Sequence, residues 1–345
     1  MAYPFKNLIF EGGGVKGIAY VGAIQEFENR QIMKNIKRVG GTSAGAINAV
    51  LLALGYTLKD TQKILMELNF NNFMDDSWGV IRDSKRLISD FGWYRGDFFK
   101  GWIGDRIHEK TGNENSTFND LSNLGFLDLY LVGTNLSTGF SEVFSAEHTP
   151  RMRVVDAVRI SMSIPLFFAA VRDFRKDVFV DGGVFNNYPI KLFDREKYIE
   201  VDDLAKHARK TNYYKAENKS KPKTSSSYIY NKETLGFRLD SHLEIAVFRD
   251  GAEPPSEKID DFFDYIGAVF RAILNVQENQ HLHSDDWCRT IYINTIGVGT
   301  TEFDIDDQKK KKLVREGKKA TDAYFNWYDK FDPNSPPMNH PNYND

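Results

Sequence analysis

Short apolar runs alternate with amphipathic stretches along the first fifty-odd residues of the chain. Residues 8–10 and 36–39 read as strands, and each is followed by a glycine-rich turn. Helical patterns then cover residues 18–30, with apolar side chains on one face, and residues 44–54, which are apolar almost throughout. A strand, a turn and a helix, repeated in that order, predict parallel strands joined by crossover helices.

The same signals continue along the chain. They predict strands at residues 127–133, 178–180, 243–248 and 291–293, and a closing helix at 306–328. We predict an α/β fold in which residues 1–331 form one domain. Within it, residues 202–230 turn from acidic to lysine-rich to serine-rich and predict a mobile insertion. Residues 332–345 are rich in Pro and Asn and predict a flexible tail.

Composition narrows the class of protein. Of the 345 residues, 41% are hydrophobic and 27% charged, which is enough apolar material for a large core. The net charge of −3 gives no basic field for nucleic acid. The one cysteine, Cys288, cannot form an internal disulfide and is predicted to be a partly buried thiol before a strand.

No apolar run reaches the ~20 residues that a membrane span needs. The first residues are too few and too polar for a signal peptide. We therefore expect a cytoplasmic protein, and secretion by a route without a cleaved signal stays open.

The second glycine-rich turn, residues 41–45, reads Gly-Thr-Ser-Ala-Gly and fits the nucleophile elbow G-x-S-x-G. Its place between an apolar strand and an apolar helix would expose the hydroxyl of Ser43 at a sheet edge, next to the positive end of the helix dipole. A simple helix cap by Ser or Thr is the alternative interpretation.

The first glycine-rich turn, residues 12–17, reads Gly-Gly-Gly-Val-Lys-Gly. It fits G-x-G-x-x-G, but no acidic residue ends the second strand, as a dinucleotide site requires. Ile18 stands where a phosphate-binding P-loop needs lysine. Backbone amides of this turn could instead bind a developing oxyanion. A glycine hinge for close strand–helix packing is the alternative.

A serine nucleophile needs a proton acceptor. None of the seven histidines has a loop context that resembles that of Asp181, which follows a short apolar strand and precedes two glycines. An ordinary Asp-Gly turn would explain Asp181 equally well on its own.

Taken in order, these three motifs resemble those of the patatin-like phospholipase family. The resemblance extends to residues 133–139, to the Ser-Met-Ser-Ile-Pro segment at 161–165, to the stretch 181–189 and to residues 297–303. It covers roughly residues 5–330 and implies a three-layer α/β/α fold with a mostly parallel central sheet.

The resemblance also implies a Ser–Asp dyad without histidine. Ser43 would be the nucleophile, Asp181 the base, and Gly12, Gly13 and Gly14 the lining of the oxyanion hole. A free aspartate, with a pKa near ~3.9, is a poor base at neutral pH, so burial must make Asp181 more basic. The reaction would need no metal and no cofactor. Lys16 is a candidate contact for a lipid phosphate, and a solvated lysine is the alternative interpretation.

The leading hypothesis is therefore a lipid acyl hydrolase of phospholipase A or lysophospholipase type. It would act on a phospholipid or lysophospholipid, with transient contact to a membrane surface, no nucleic-acid partner, and an activating protein or ligand left open. A carboxylesterase or neutral-lipid lipase using the same dyad is the second hypothesis. A catalytically silent membrane- or partner-binding protein is the third.

Overall fold

An eight-stranded, mostly parallel sheet forms the centre of the molecule. The computed structural model describes residues 3–74, 80–241, 258–282, 285–300 and 302–330, and the single positions 253 and 256. The strands of this part of the chain are β1 Asn7–Phe10, β2 Arg38–Thr42, β3 Gly92–Tyr94, β4 Asp128–Asn135, β5 Phe140–Phe144, β6 Leu166–Phe168, β7 Val171–Arg172, β8 Val178–Asp181, β9 Ala208–Arg209, β10 Tyr230–Asn231, β11 Thr234–Asp240 and β12 Thr290–Asn294.

Helices surround this sheet. Those of the described residues are α1 Ala19–Asn29, α2 Ala44–Ala53, α3 Leu58–Glu67, α4 Val80–Ser89, α5 Asp97–Thr111, α6 Phe118–Asn123, α7 Val154–Ser161, α8 Gly183–Asn186, α9 Leu204–His207, α10 Lys215–Ser220, α11 Phe262–Leu282 and α12 Asp307–Asp329.

The strand order in the central sheet is β12-β11-β1-β2-β4-β8-β7, and β5 also pairs with β4. The pairs from β12 to β4 are parallel, whereas β5 and β8 run antiparallel to β4. The predicted α/β class with a mostly parallel sheet is thus confirmed. Because β1, β2 and β11 are parallel, their carboxyl ends meet at one edge of the sheet and their amino ends at the other.

The two faces of the sheet are buried under different parts of the chain. Along β1, Leu8 and Phe10 belong to the large core that the helices share, while Ile9 belongs to a smaller cluster on the other face. That cluster includes Tyr130 of β4 and aromatic residues of the segment 188–198. Alternate residues of a strand point to opposite faces, so both faces of β1 are covered.

The first and last helices pack with their backbones in contact. A Cβ added at Gly22 of α1 would lie 1.8 Å from the carbonyl oxygen of Val314 in α12, and one at Gly317 would lie 1.9 Å from that of Ala19. No other residue type fits at either crossing position. The predicted closing helix therefore completes the core beside the first βα unit.

The segment 202–230 contains the short elements α9, β9, α10 and the start of β10. Inside it, Tyr214 is buried and its hydroxyl donates a hydrogen bond to Asp194, whose carboxylate also binds the buried guanidinium of Arg289. These contacts fix where the segment docks. Its predicted mobility, and the single domain at 1–331, stay predictions, and the predicted tail lies outside the described residues.

Other expectations have mixed outcomes. Cys288 does precede β12, but its side chain is exposed rather than partly buried, because it lies in a short 3₁₀ turn at the surface. The predicted strand at 243–248 falls outside the described residues. Within the residues that the structure describes, no helix combines the length and the apolar character that crossing a bilayer requires.

Candidate active site

Ser43 occupies a sharp turn between β2 and α2. Its φ of 52° and ψ of −127° are unusual for a residue with a side chain, and the surrounding packing must stabilise them. A Cβ on Gly45 would lie 2.3 Å from the carbonyl oxygen of Phe10, so only glycine lets the turn pack against β1. The G-x-S-x-G spacing is thus a requirement of this backbone, and it places Ser43, 3% exposed, at the carboxyl edge of the sheet.

The register of β2, β4 and β8 places Asp181 and Ser43 at the same edge of the central sheet. Thr42, the last residue of β2, pairs with Val132 of β4, and the next β4 residue, Gly133, pairs with Asp181 at the end of β8. The turn after Asp181 also contacts the elbow, since a Cβ on Gly182 would lie 2.9 Å from the Thr42 methyl carbon. The structure therefore brings together the two residues that the sequence separates by more than a third of the chain.

Three consecutive residues, 161–163, bridge the serine and the aspartate. The backbone amide of Ser43 donates to the hydroxyl of Ser161 (3.0 Å), which donates to the carbonyl of Val132 (2.6 Å). The Sδ of Met162 lies 3.8 Å from the Ser43 Oγ. The amide of Asp181 donates to the carbonyl oxygen of Ser163 (2.8 Å). This segment sets the relative position of both candidate catalytic groups.

The carboxyl of Asp181 is fully buried. Its Oδ1 accepts a hydrogen bond from the amide of Gly183 (2.7 Å), whereas Oδ2 accepts none from any described residue. Burial raises the pKa of Asp181 to about 7, against the lowering effects of the Gly183 amide and of the nearby Ser43 hydroxyl. The carboxyl is thus a proton acceptor of near-neutral strength with one oxygen unoccupied.

The glycine-rich turn lies directly against Ser43. A Cβ on Gly12 would be 3.0 Å from the Cβ of Ser43. The amide of Gly12 donates to the carbonyl of Asn187 (3.1 Å), and the Asn187 side chain donates back to the carbonyl of Gly12 (3.0 Å). Among the described residues, the amides of Gly13 and Gly14 have no hydrogen-bond partner. Two backbone amides without a partner among the described residues therefore follow directly after the glycine that packs against Ser43.

Lys16 lies in the 3₁₀ turn Gly14–Ile18 that follows these glycines. It is 9% exposed, and its Cε lies 3.4 Å from where a Cβ on Gly13 would be. Its side chain makes no ion pair within the described part of the chain. A cation is thus available beside the glycine-rich turn.

Helix α11 supports the aspartate loop, a role that sequence reasoning missed. Gln277 donates to the carbonyls of Gly183 (2.7 Å) and Val184 (3.0 Å), and its Oε1 accepts from the amide of Asn187 (2.9 Å). Phe270 packs against the same loop, 3.2 Å from where a Cβ on Gly183 would lie. The repeating apolar positions of residues 262–274 were the available signal for this helix.

A cavity of about 330 Å³ lies between α11 and the loop that follows α7. Its wall combines apolar and aromatic side chains with charged ones and is formed by Met74, Tyr94, Phe167, Phe263, Gly267 and Phe303 with Lys258, Arg271 and the acidic Asp264. Phe167 follows the bridging segment at 161–163 by four residues. The cavity therefore adjoins the elements that position Ser43 and Asp181.

The described histidine side chains interact elsewhere. His108 pairs with Glu114, His148 with the hydroxyl of Ser145, and His207 with Glu233. None of these three contacts the candidate dyad.

Among the described residues, one cluster of side chains could hold a metal ion, and it does not include Ser43 or Asp181. Asp203, His207 and Glu233 bring their ligand atoms within 4.8 Å of one another. However, the ammonium of Lys6 already lies 2.9 Å from an Asp203 oxygen and 2.8 Å from a Glu233 oxygen. Lysine supplies the positive charge that a metal ion would bring.

Comparisons with known proteins identify the family to which the chain is related. Residues 8–194 match the family described as patatin-like phospholipase. The chain is 31% identical over 317 residues to an uncharacterized protein of Acanthamoeba polyphaga mimivirus, covering 91% of this chain and 92% of that protein. It is 23% identical over 188 residues to a probable lipid hydrolase of Invertebrate iridescent virus 6, covering 54% and 63% of the two chains.

Among solved structures, the fold resembles that of VipD from Legionella pneumophila, with a TM-score of 0.55 at 18% identity, over 94% of this chain and 67% of that one. The mostly parallel central sheet with helices around it defines the class as a mixed α/β fold. The chain belongs to the patatin-like phospholipase family, which supports a lipid-hydrolysing function.

Proposed function

We propose that the protein is a lipid acyl hydrolase that cleaves fatty-acyl esters of phospholipids or lysophospholipids through an acyl-serine intermediate. The observation that carries the proposal is the buried Asp181 carboxyl, level with Ser43, with its Oδ2 unoccupied and its pKa near 7. A buried carboxyl of this basicity can accept a serine proton without a histidine.

In the proposed reaction, the Ser43 Oγ attacks the ester carbonyl carbon and its proton passes to Asp181. The carbonyl oxygen becomes an oxyanion, which accepts hydrogen bonds from the amides of Gly13 and Gly14. Gly12, whose own amide is engaged by Asn187, shapes the turn against Ser43. One such donor is typically worth about 3 kcal/mol in the transition state.

The intermediate then collapses. The bond to the leaving alcohol breaks, and Asp181 returns its proton to the alcohol oxygen. Water attacks the acyl-serine ester, gives a proton to Asp181, and the fatty acid leaves as the proton moves back to Ser43. In this proposal no step requires a metal ion or a cofactor.

The neighbouring cavity supports a lipid substrate. Its aromatic side chains suit an acyl chain, and Lys258 and Arg271, which outnumber the single acid Asp264 in its wall, suit a phosphate group. Lys16, beside the glycine-rich turn, offers a further cation. The same dyad could hydrolyse a neutral ester, so product analysis must separate a phospholipase from a carboxylesterase or neutral-lipid lipase. Mass spectrometry after incubation with a mixed lipid extract makes that distinction.

A fluorophosphonate probe tests the nucleophile. We expect wild-type protein to be labelled and Ser43→Ala to be unlabelled, with turnover reduced by roughly 10⁴-fold or more. Asp181→Asn should fold and lose turnover to a similar degree, because the serine proton then has no carboxylate to accept it. The matched control, Ser145→Ala, should remain active and labelled.

Two outcomes would contradict the proposal. No labelling of wild type, even with membranes present, would favour a silent membrane- or partner-binding protein. Retained activity in Asp181→Asn, together with loss in His281→Ala, would indicate a histidine triad.

A further inference from the structure

Three lysines precede three adjacent strands of the sheet. Lys6 comes directly before β1, Lys37 directly before β2, and Lys232 two residues before β11. Because these strands are parallel and in register, their amino ends, with the lysines, meet at one edge of the sheet. Ser43 lies at the opposite edge, where β2 ends. The lysine cluster is therefore separate from the candidate active site.

These lysines border a cavity of about 550 Å³. The cavity is lined by Lys34 and Lys206 in addition to the three strand-end lysines, and by His207 and Tyr3. Its wall comes from chain segments near residues 3–6, 34–37, 206–207, 232 and 328. A concave surface with charges of one sign focuses the electrostatic potential and attracts counter-ions.

Part of this charge is compensated within the protein. Lys6 pairs with Asp203 and Glu233, and Lys37 pairs with Glu200. The buried Glu233 also binds the Nδ1 of His207, so this side of the cavity is held in place by ion pairs and hydrogen bonds.

The remaining three lysines form no ion pair among the described residues, although the charge of Lys206 also acts on Asp203. Lys34 donates to the side-chain oxygen of Gln31, and Lys232 to the backbone carbonyl of Lys206. Three of the five lysines that line the cavity therefore form no ion pair among the described residues. Like charges that converge in this way repel one another until an anion binds between them.

We propose that this cavity binds a multiply phosphorylated anion, either free in solution or as the headgroup of a lipid. Lys34, Lys206 and Lys232 come from three different segments, so an anion with charge on several groups can contact all of them at once. Lysine ammonium groups bind phosphate as point charges. The cavity volume accommodates several phosphate groups. Near Asp203 and Glu233, the ammonium of Lys6 already supplies the positive charge that a bound cation would bring.

The test uses full-length Ser43→Ala protein, so that its result does not depend on catalysis. Calorimetric titration with tripolyphosphate at physiological ionic strength should show saturable binding of one anion per chain. The variant Lys34→Gln/Lys206→Gln/Lys232→Gln should raise the dissociation constant about tenfold or more, since three charge-assisted contacts are lost. All three side chains are exposed, so the variant should fold.

A matched variant removes the same charge elsewhere. Lys311, Lys312 and Lys319 are exposed on α12, and their joint replacement by Gln should change the dissociation constant by less than about twofold. An equal loss in both triple variants would show only non-specific attraction and overturn the proposal. So would the absence of saturable binding both to tripolyphosphate and to the vesicles described next.

Vesicle flotation identifies the source of the anion. One set of phosphatidylcholine vesicles contains phosphatidylinositol bisphosphate, and the other contains phosphatidylserine at matched total charge. Selective binding to the first set that is lost in the cavity variant supports a lipid headgroup. Binding to tripolyphosphate without vesicle selectivity supports a free polyphosphate. Because catalysis plays no part, failure here would leave the proposed hydrolase unaffected.

Discussion

At the scale of single residues, the carboxyl of Asp181 combines two costly properties, complete burial and an oxygen without a hydrogen-bond partner. Burial disfavours the ionised form, which explains why its pKa rises to about 7 although the Gly183 amide and Ser43 hydroxyl act in the opposite direction. Groups of this kind are retained where a proton has to move.

The pH dependence of activity should report this group. Asp181 accepts a proton only when ionised, so we expect kcat/KM on a short-chain ester to rise with pH and level off above about 7. Steady-state rates between pH 5 and 9, with stability monitored in parallel, measure the profile. An inflection near pH 4, the range of an ordinary carboxyl, would contradict the assigned environment.

Stability should depend on pH in the opposite sense. The folded pKa is raised, so the contribution of Asp181 is complete below its unfolded pKa of about 4 and is lost as pH rises towards 7. The loss approaches about 1.4 kcal/mol per pH unit within that range. The unfolding free energy of Asp181→Asn, relative to wild type, should therefore increase between pH 4 and 7.

Urea titrations at several pH values measure that difference. Asp97→Asn serves as the control, because the Asp97 side chain is 64% exposed and should show no comparable trend. A pH-independent difference for Asp181→Asn would mean that the carboxyl ionises in the folded protein as it does in water.

At the scale of elements, a buried lysine of α12 caps another helix. Lys310, 6% exposed, donates to the carbonyls of Met66 (2.8 Å) and Leu68 (2.9 Å), where α3 ends. Burial lowers the pKa of its ammonium. The carbonyls at the end of a helix attract a cation, which explains why one member of the lysine run at 309–312 is buried.

Lys310→Ala should destabilise the protein by about 1–3 kcal/mol, since two carbonyls lose a charged donor in a buried setting. Lys311→Ala, one position along on the exposed face, should leave the unfolding free energy nearly unchanged. Urea unfolding measures both variants. If the two substitutions changed the unfolding free energy equally, the contacts of Lys310 with the end of α3 would not stabilise the protein.

The elements that the sequence predicts best are those with simple patterns. The first βα units and the final helix follow from apolar periodicity, and β1, α1, α2 and α12 lie within one or two residues of the predicted ranges. Strand β11 was not predicted, although it lies next to β1 at the centre of the sheet. Its buried Arg238 and Asp240 bind each other, so charged residues occupy positions where a pattern requires apolar ones.

In the candidate site too, some residues could be predicted from the sequence and others could not. Motifs point to Ser43 and Asp181, because backbone geometry around a nucleophile restricts the sequence to glycine. The bridging contacts of Ser161 and the support from Gln277 could not be predicted, since they depend on how distant segments pack.

At the scale of the whole molecule, a buried ionic network joins segments that are far apart in sequence. Arg289 binds both oxygens of Asp194 (2.5 and 2.7 Å) and one of Asp286 (2.6 Å), and its side chain is 3% exposed. Tyr214 of the segment 202–230 binds the same Asp194. The network thus couples that segment to the turn before β12.

Arg289→Met should destabilise the protein by about 3–5 kcal/mol, because two buried carboxylates lose their counter-charge. Amide hydrogen exchange should accelerate in residues 204–220 before it does so in the central strands. The control Arg175→Met, at a 62% exposed side chain, should change neither quantity. If exchange in residues 204–220 stayed as slow as in wild type, the coupling would be refuted.

The antiparallel pairing of β8 with β4 has a consequence for how this protein can diversify. Asp181 is positioned by its match to Gly133 and by the carbonyl of Ser163, and not by the path of the chain between residues 136 and 160. Loops in that interval can gain or lose residues while the acid stays opposite the alcohol. Insertions or deletions there would leave the relative position of Asp181 and Ser43 intact.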